Sequence, residues 1–467
     1  MNDLKAGFAR VNITPMMGIK IAGYFVERHA DGVLDDLLAN ALAVEAGGKQ
    51  AVLIAVDHCG LTKEFLDRYR DSICKATGLD REGIFISAIH THQGPMLTVG
   101  QMGPLEEEYD RFLEHRLVDV TKAALSDLKP AKLGYAVGQA PHIAFIRRYV
   151  MKDGSLRTNP GVNNPDVVGP AGETDERVNV LRFHRGENDD IVLVNFGCHP
   201  DVVGGNKISA DWPGFLRRTV EKAIDGSKCL FFNGAQGDVN HVNVFPKGGD
   251  LNDMFMDFDD VSRGYGHARH MGRVVAGAVL QVYDKVEWTD VDRVDFIQRT
   301  VNVASQMPSD TDDITVEEAH KINEMHLAGR DAELPYKAMM LTTMVAQAGR
   351  ICRLENGPDH FPMYLSAVAI GDFAFFGVPG EPFTGIGLGL KKAPGWKLVL
   401  PCINTNAKEG YFPMMDCYEE GGYEARSSNY KPGVGEFIIE EGTKLLGELL
   451  PCQSERSEES SEQDTLS

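Results

Sequence analysis

The sequence predicts an α/β protein: a mixed, mostly buried sheet flanked by helices, with a helical hairpin inserted late in the chain. Three observations predict it. Six short runs, Ala51–Val56, Ile84–Ile89, Ile191–Gly197, Cys229–Asn233, Phe373–Val378 and Lys397–Ile403, are almost continuously apolar, as strands covered on both faces are. Amphipathic stretches separate them, and strands alternating with helices over 467 residues describe a sheet wrapped in helices. Residues 308–356 break the alternation with two helical stripes in succession.

Each element follows from its residues. After the run Ala51–Val56 and Leu61, the residues Phe65, Tyr69 and Ile73 recur at helical spacing. After Ile84–Ile89 and Glu106, Tyr109, Phe112, Leu113, Leu117, Val120 and Leu125 form a long apolar stripe. Beyond Ile191–Gly197, Asp211 can cap a helix whose first turn carries Pro213, with Phe215, Leu216 and Val220 facing inward. In 308–356, Val316, Ala319 and Ile322 make one stripe and Ala338, Leu341, Val345 and Ala348 the other, with residues 329–335 as the turn. The organisation expected is one catalytic domain over residues 1–452, with 308–356 as its insertion. Residues 453–467 form a tail of five acids, one Arg and no aromatic, too polar to order itself. No internal repeat is visible.

Charge and cysteines narrow the function. Forty-seven basic against 68 acidic residues leave a net charge of −21, which argues against a general nucleic-acid or anionic-membrane binder. No run of ~18 apolar residues suggests a membrane span, and the N-terminal stretch has no apolar core of a signal peptide. The eight cysteines are scattered without a CxxC pair, which suits a reduced, cytoplasmic protein. The partner expected is a small-molecule substrate.

The chemistry gathers at the strand ends, where ligands bind in α/β sheets. The first run leads into Asp57-His58, the second into His90-Thr91-His92, the third into Cys198-His199-Pro200. The fourth leads into Gly234-Ala235-Gln236-Gly237-Asp238, the fifth into Pro379-Gly380-Glu381, and the sixth into a polar loop reaching Tyr411. If most of these strands are parallel, one rim collects histidines, a glutamate and a tyrosine, which is a metal-site inventory. His90 and His92 share a face of an extended chain, so one can ligate while the other faces substrate, or both can ligate. The metallo-β-lactamase pattern HxHxDH fails, because Gln93-Gly94-Pro95 follows. His58, Asp57 and Asp238 read as structural, and His267 with His270 as partly exposed surface groups.

Ordered motifs then carry a resemblance: Ala9-Arg10-Val11-Asn12-Ile13-Thr14-Pro15, Ala22-Gly23-Tyr24, Ser87-Ala88-Ile89-His90-Thr91-His92-Gln93-Gly94-Pro95, Ser209-Ala210-Asp211-Trp212-Pro213-Gly214, Gly237-Asp238-Val239-Asn240, Val378-Pro379-Gly380-Glu381, Gly410-Tyr411-Phe412-Pro413 and Tyr418 to Glu424. In this order the chain resembles the catalytic domain of the neutral (non-lysosomal) ceramidases and their shorter bacterial relatives. The resemblance implies a zinc-dependent amidase with one Zn²⁺ per chain. It matches His90, His199, Glu381 and Tyr411 to the metal ligands, His92 to the catalytic histidine, and Arg147 to the active-site arginine, with Arg148 as its competitor. These ligands also suit manganese or iron.

Three departures point away from ceramide itself. Asn240 stands where the family has a serine after Gly-Asp-Val. The C-terminal immunoglobulin-like domain of the long enzymes has no counterpart, and neither does their signal peptide. The expected activity is hydrolysis of an amide or ester bond through a metal-bound water. The alternatives are a true lipid amidase, which predicts an apolar groove, and a non-catalytic metal-binding member of the fold.

Overall fold

The computed structural model describes residues 3–251 and 263–451; the expected acidic tail, 453–467, and Cys452 lie outside them. Lys5–Asn12 (β1), Leu38–Ala46 (β2), Lys49–Val56 (β3) and Ile84–Ala88 (β4) form the first large sheet, in the order β4-β3-β2-β1. β1, β2 and β3 run antiparallel, whereas β3 and β4 are parallel. A parallel pair needs a crossover, and the helix Lys63–Thr77 (α1) supplies it, burying Phe65, Tyr69 and Ile73. The helix Pro104–Ser126 (α2) then packs on β1 and β2.

The same plan returns twice. Lys132–Gln139 (β5), Arg177–His184 (β6), Asp190–Phe196 (β7) and Lys228–Asn233 (β8) form a second sheet in the order β8-β7-β6-β5. Only β7 and β8 are parallel within that four-strand set, joined through the helix Asp211–Ala223 (α3), and the helix Tyr265–Tyr283 (α4) covers β5 and β6. Val294–Ala304 (β9), His360–Ile370 (β10), Phe373–Gly377 (β11) and Leu398–Cys402 (β12) form the third sheet in chain order. Between β9 and β10 lie the helices Val316–Leu327 (α5) and Ala338–Leu354 (α6). β11 and β12 are parallel across the helix Thr384–Leu390 (α7), and Val434–Glu448 (α8) touches β9 and β10. Each unit is thus three antiparallel strands, a crossover helix, a parallel edge strand and a covering helix.

The six runs singled out from the sequence are the three parallel pairs, and the mixed α/β class holds. The expected single sheet is three large sheets and several small ones, because strands that complete the large sheets, such as β1 and β5, carry more mixed patterns than the buried runs. The repeat is one of topology. Its connections differ in length and the third carries the hairpin, so no period shows in the residues. The hairpin itself is as expected, with a small core of Ile314, Ala319, Ile322, Val345 and Ala348. The start of α3 differs by one position. Ala210 is the cap residue, and Asp211 opens the helix at a φ of 56°, its carboxylate accepting from Trp212 N and Val203 N. Asp35, from another part of the chain, accepts from Ala210 N and so takes over part of the capping.

The parallel edges converge. The side chain of Asn233, at the end of β8, donates from Nδ2 to Ile89 O at 3.0 Å and to Cys198 O at 3.1 Å. The backbone carbonyl of Asn233 accepts from Ile403 N at 3.1 Å, and Asn404 O accepts from Ala88 N at 3.3 Å. These bonds knit the carboxyl ends of β4, β7, β8 and β12 into one rim beside the main core. Among the described residues, no helix is long and apolar enough to cross a membrane.

Candidate metal centre and active site

Each strand end delivers its side chain to that rim. His90 follows β4 at a φ of 75°, a left-handed conformation that a residue other than glycine adopts only when its surroundings hold it there. The hold is visible: His90 N donates to His58 O at 2.9 Å, and Nδ1 sits 2.6 Å from Cys59 O. That second bond fixes a proton on Nδ1 and turns Nε2 into the site. His199, after β7, is held the same way, with Nδ1 2.9 Å from Gln236 O and 3.0 Å from Val239 O. Glu381 follows β11, where the short strand Glu381–Pro382 pairs with Tyr411–Phe412 and sets Glu381 opposite Tyr411.

These placements bring Glu381 Oε2 to 3.1 Å from His90 Nε2 and 3.2 Å from His199 Nε2. All three side chains are buried. Burial works against the Glu381 carboxylate, but the two imidazoles hold it well below the usual carboxylate range. The same carboxylate and Cys59 overcome burial at His90 and push it up to about 10. His199 goes the other way, lowered by burial and by Arg147.

The three atoms suit a divalent cation. Ligands at roughly 2.0–2.2 Å from a tetrahedral ion stand about 3.3 Å from one another, close to the separations observed. His199 Nε2 is buried without a well-aligned hydrogen-bond partner, as a lone pair reserved for a metal would be. A second grouping, Cys59 with His90 and His92, shares His90. There Cys59 Sγ lies 3.7 Å from His90 Nδ1, a nitrogen already held by Cys59 O. The Glu381 grouping uses the free nitrogen.

His92 stands beside the triangle. Its Nε2 is 3.2 Å from His90 Nε2, and burial together with the His90 charge lowers it well below the ordinary imidazole value, so it is neutral. Gly23 makes room for it, since a Cβ there would come within 2.5 Å of the ring. The Tyr411 ring lies nearly parallel to His199, with centroids 6.4 Å apart, and burial and Glu381 raise its phenol well above the ordinary value. His90, His92, Glu381 and Tyr411 all line one cavity of about 490 Å³, together with Tyr24, Phe25, Cys59, Lys408 and Tyr423. Its lining mixes charged side chains with apolar ones such as Phe25, Met96 and Leu97.

Arg147 is elsewhere than in the cavity wall. Its Nε donates to Glu424 at 2.6 Å and its Nη2 to Gly237 O at 2.8 Å, and the guanidinium lies 5.3 Å from the centre of the Tyr411 ring. Arg148 points away, to Cys417 and Glu420. Asn240 Nδ2 donates to Asn159. Asp57 is engaged by Arg217 and Asp238 by Thr384, as their structural reading expects. His58 is buried and neutral, pushed down to about 3 by burial and Lys408. His267 is half-buried and His270 exposed on α4.

Sequence reasoning passes over Cys59, Lys408 and Asn404. Cys59 reads as one more buried cysteine, and Asn404 gives no signal before the sheets are assembled. Lys408 is the exception. It is the basic residue of the polar loop leading to Tyr411.

No protein-family model matches the chain, and no curated protein matches it in sequence. Solved structures do. The crystal structure of neutral ceramidase from Pseudomonas aeruginosa aligns with a TM-score of 0.72 at 17% identity, covering 97% of this chain and 76% of that one. A ceramidase complexed with C2 aligns with a TM-score of 0.71, with the same identity and coverage. The likeness is one of fold, and the chain has a neutral-ceramidase-like fold across nearly all of its length.

Proposed function

We propose that this chain is a metal-dependent hydrolase that cleaves an amide or ester bond in a small or medium polar molecule. One observation carries the reading: Glu381 Oε2 lies 3.1 Å from His90 Nε2 and 3.2 Å from His199 Nε2, a buried cluster whose His90 and Glu381 line the cavity beside His92. Two imidazoles and a carboxylate are a hydrolytic zinc set. When bound, zinc supplies polarisation of the substrate carbonyl and a lowered pKa for an adjacent water.

The side chains supply the rest. His90, His199 and Glu381 hold one zinc per chain, with Tyr411 as the fourth ligand or as a donor to the developing oxyanion. A phenol kept protonated by burial suits the donor role. His92 is the group to take a proton at Nε2 from the attacking water and return it to the leaving group. Arg147 acts through Tyr411, whose ring it faces and whose phenol its charge pulls back toward ionisation. Asn240 has no hydroxyl to offer, which supports a mechanism without a serine step.

The solved neighbours are ceramidases, which supports the amide reading. The mixed lining of the cavity, with Lys408, Glu409 and Arg353 in its wall, supports a polar substrate over ceramide. Residues 1–452 act as one catalytic unit in this proposal, with 308–356 as its insertion. The free cysteines among the described residues and the acidic balance support a cytoplasmic setting.

The test is metal analysis of the purified protein beside His199→Ala and Glu381→Gln, followed by a screen of amides and esters. About one zinc per chain in the wild type, lost in both variants along with hydrolysis, is the expected result. Full metal content in the variants would overturn the ligand assignment.

A further inference from the structure

The cavity holds a cation that the metal chemistry does not use. Lys408 reaches it along a track that Gly60 leaves open: a Cβ on Gly60 would stand 2.5 Å from Lys408 Cδ and 3.0 Å from its Cγ. The stem is therefore fixed and the ammonium is aimed. Lys408 Nζ lies 3.6 Å from Cys59 Sγ, and Cys59 Sγ lies 3.7 Å from His90 Nδ1. One thiol separates the ammonium from a metal-ligating imidazole.

A half-buried lysine normally pairs with a carboxylate. This chain carries 68 acids against 47 bases, so partners are plentiful, yet no carboxylate among the described residues forms an ion pair with Lys408. The acids in the cavity wall are committed elsewhere, Glu381 to His90 and His199, and Glu409 to the Tyr430 hydroxyl at 3.3 Å. Arg353, from the inserted hairpin, stands at the same cavity and is bound to Asn429 Oδ1 at 2.5 Å rather than to an acid. Among the described residues, Lys408 and Arg353 therefore stand in the cavity wall with no carboxylate paired to either.

We infer that Lys408 receives a carboxylate of the substrate, so that the amide cleaved at this site carries that carboxylate close to the scissile bond. The inference rests on the hydrolase reading above and deepens it by naming the substrate class. A single lysine offers a point charge with three donors, without the bidentate fork that an arginine presents to phosphate. That favours a small monoanion. Cys59 Sγ, a weak acceptor, occupies the ammonium until a carboxylate replaces it. The carboxylate can belong to the amine half, as in an N-acyl amino acid, or to the acyl half, as in a dicarboxylic monoamide.

Two substrate pairs separate these sources. N-benzoylglycine against N-(2-hydroxyethyl)benzamide places the carboxylate on the amine side. N-phenylsuccinamic acid against N-phenylbutanamide places it on the acyl side. For one pair, kcat/KM of the acid should exceed that of its neutral partner by about tenfold to a hundredfold. Lys408→Met should bring that ratio down to about one, and Lys408→Arg should restore part of it. Damage to folding would lower both members of a pair and leave the ratio in place. No preference for the acid in either pair, or a ratio unmoved in Lys408→Met, would overturn the inference while leaving the hydrolase reading intact. If neither pair is cleaved, the amide reading fails while the ester reading stands, and calorimetric titration of the two acids into wild type and Lys408→Met decides the question. Binding by the wild type alone supports the carboxylate site; no binding by the wild type refutes it.

Discussion

The turns that follow β4 and β12 can be laid side by side, Ile89-His90-Thr91-His92 against Ile403-Asn404-Thr405-Asn406. Both leave the parallel edge strand of their sheet, and both take a positive φ at the second residue, 75° at His90 and 43° at Asn404. The backbone device is shared, but the side chains are used differently. His90 and His92 face the cavity. Asn406 accepts from Ile86 N at 3.1 Å and donates to Ser366 Oγ at 3.1 Å, while Asn404 Nδ2 sits 3.1 Å from His90 Nδ1. One turn carries the chemistry and its counterpart buttresses it. A strained turn costs on the order of 1–3 kcal/mol, and here the same cost supports function on one side and architecture on the other.

The comparison is broken most severely by emptying the first turn. His90→Ala should remove the metal and lower hydrolysis by more than about a hundredfold, since even residues that merely orient a ligand are worth roughly 10–100-fold. Zinc stoichiometry and kcat/KM measured together check it. Asn404→Ala should fall in that lower range, weakening zinc by about tenfold or more, because Asn404 Nδ2 also reaches Cys59 O at 3.5 Å, the carbonyl that orients the His90 ring. Asn406→Ala should leave zinc stoichiometry at wild-type level and cost about 1–3 kcal/mol of stability, through the Ile86 N–H left buried without its acceptor. Denaturant unfolding beside metal titration would show the two asparagines parting. If both variants lost metal equally, the division between chemistry and buttress would be wrong.

How much of this was legible beforehand follows from the same residues. The buried edge strands and the residues after them stand out because a strand covered on both faces must be apolar throughout and must then end abruptly. That is why His90, His92, His199 and Glu381 could be singled out, and why the structure finds them together at one rim. Pairing is a long-range property, so β1 and β5, which are exposed at intervals, leave no comparable mark, and one sheet is expected where three large ones form. Asn233 and Asn404 are invisible for the same reason. An asparagine is meaningful only once the carbonyls it bridges have been brought to it by separate sheets. Arg147 is reached by motif matching alone, while its bond to Glu424 can be seen only in three dimensions.

A contact between the second and third units responds to pH. Asp175 accepts from Arg177 Nε at 2.7 Å and from Lys391 Nζ at 2.7 Å. Burial opposes its carboxylate, but Arg177 and Lys391 lower it from 3.8 to about 2. A folded-state value below the unfolded one means stability that is full above pH ~4 and is lost as the pH falls toward 2. Asp175→Asn should cost about 2 kcal/mol at pH 7 and flatten the acid limb of the stability curve between pH 4 and 2. An unchanged acid limb in the variant would show that this contact does not couple the units.

The smallest effect concerns the hairpin, which the first and second units lack. Its helix α5 starts with a reciprocal cap: Thr315 Oγ1 accepts from Glu318 N, and Glu318 Oε2 accepts from Thr315 N at 2.8 Å. The crossover helix α1 of the first unit also begins after a threonine, yet Thr62 bonds to the Glu64 side chain and caps no backbone N–H. An insertion with a small core of its own depends on local bonds, whereas a crossover helix is held by the sheet beneath it. Thr315→Ala should therefore cost about 1 kcal/mol and speed amide hydrogen exchange across residues 316–327 by roughly fivefold. Thr62→Ala should leave exchange in α1 within twofold of wild type, because Phe65, Tyr69 and Ile73 keep that helix seated on β3 and β4 whatever its first turn lacks. Equal acceleration in both helices would mean that the hairpin is bound into the core as firmly as the elements that all three units share.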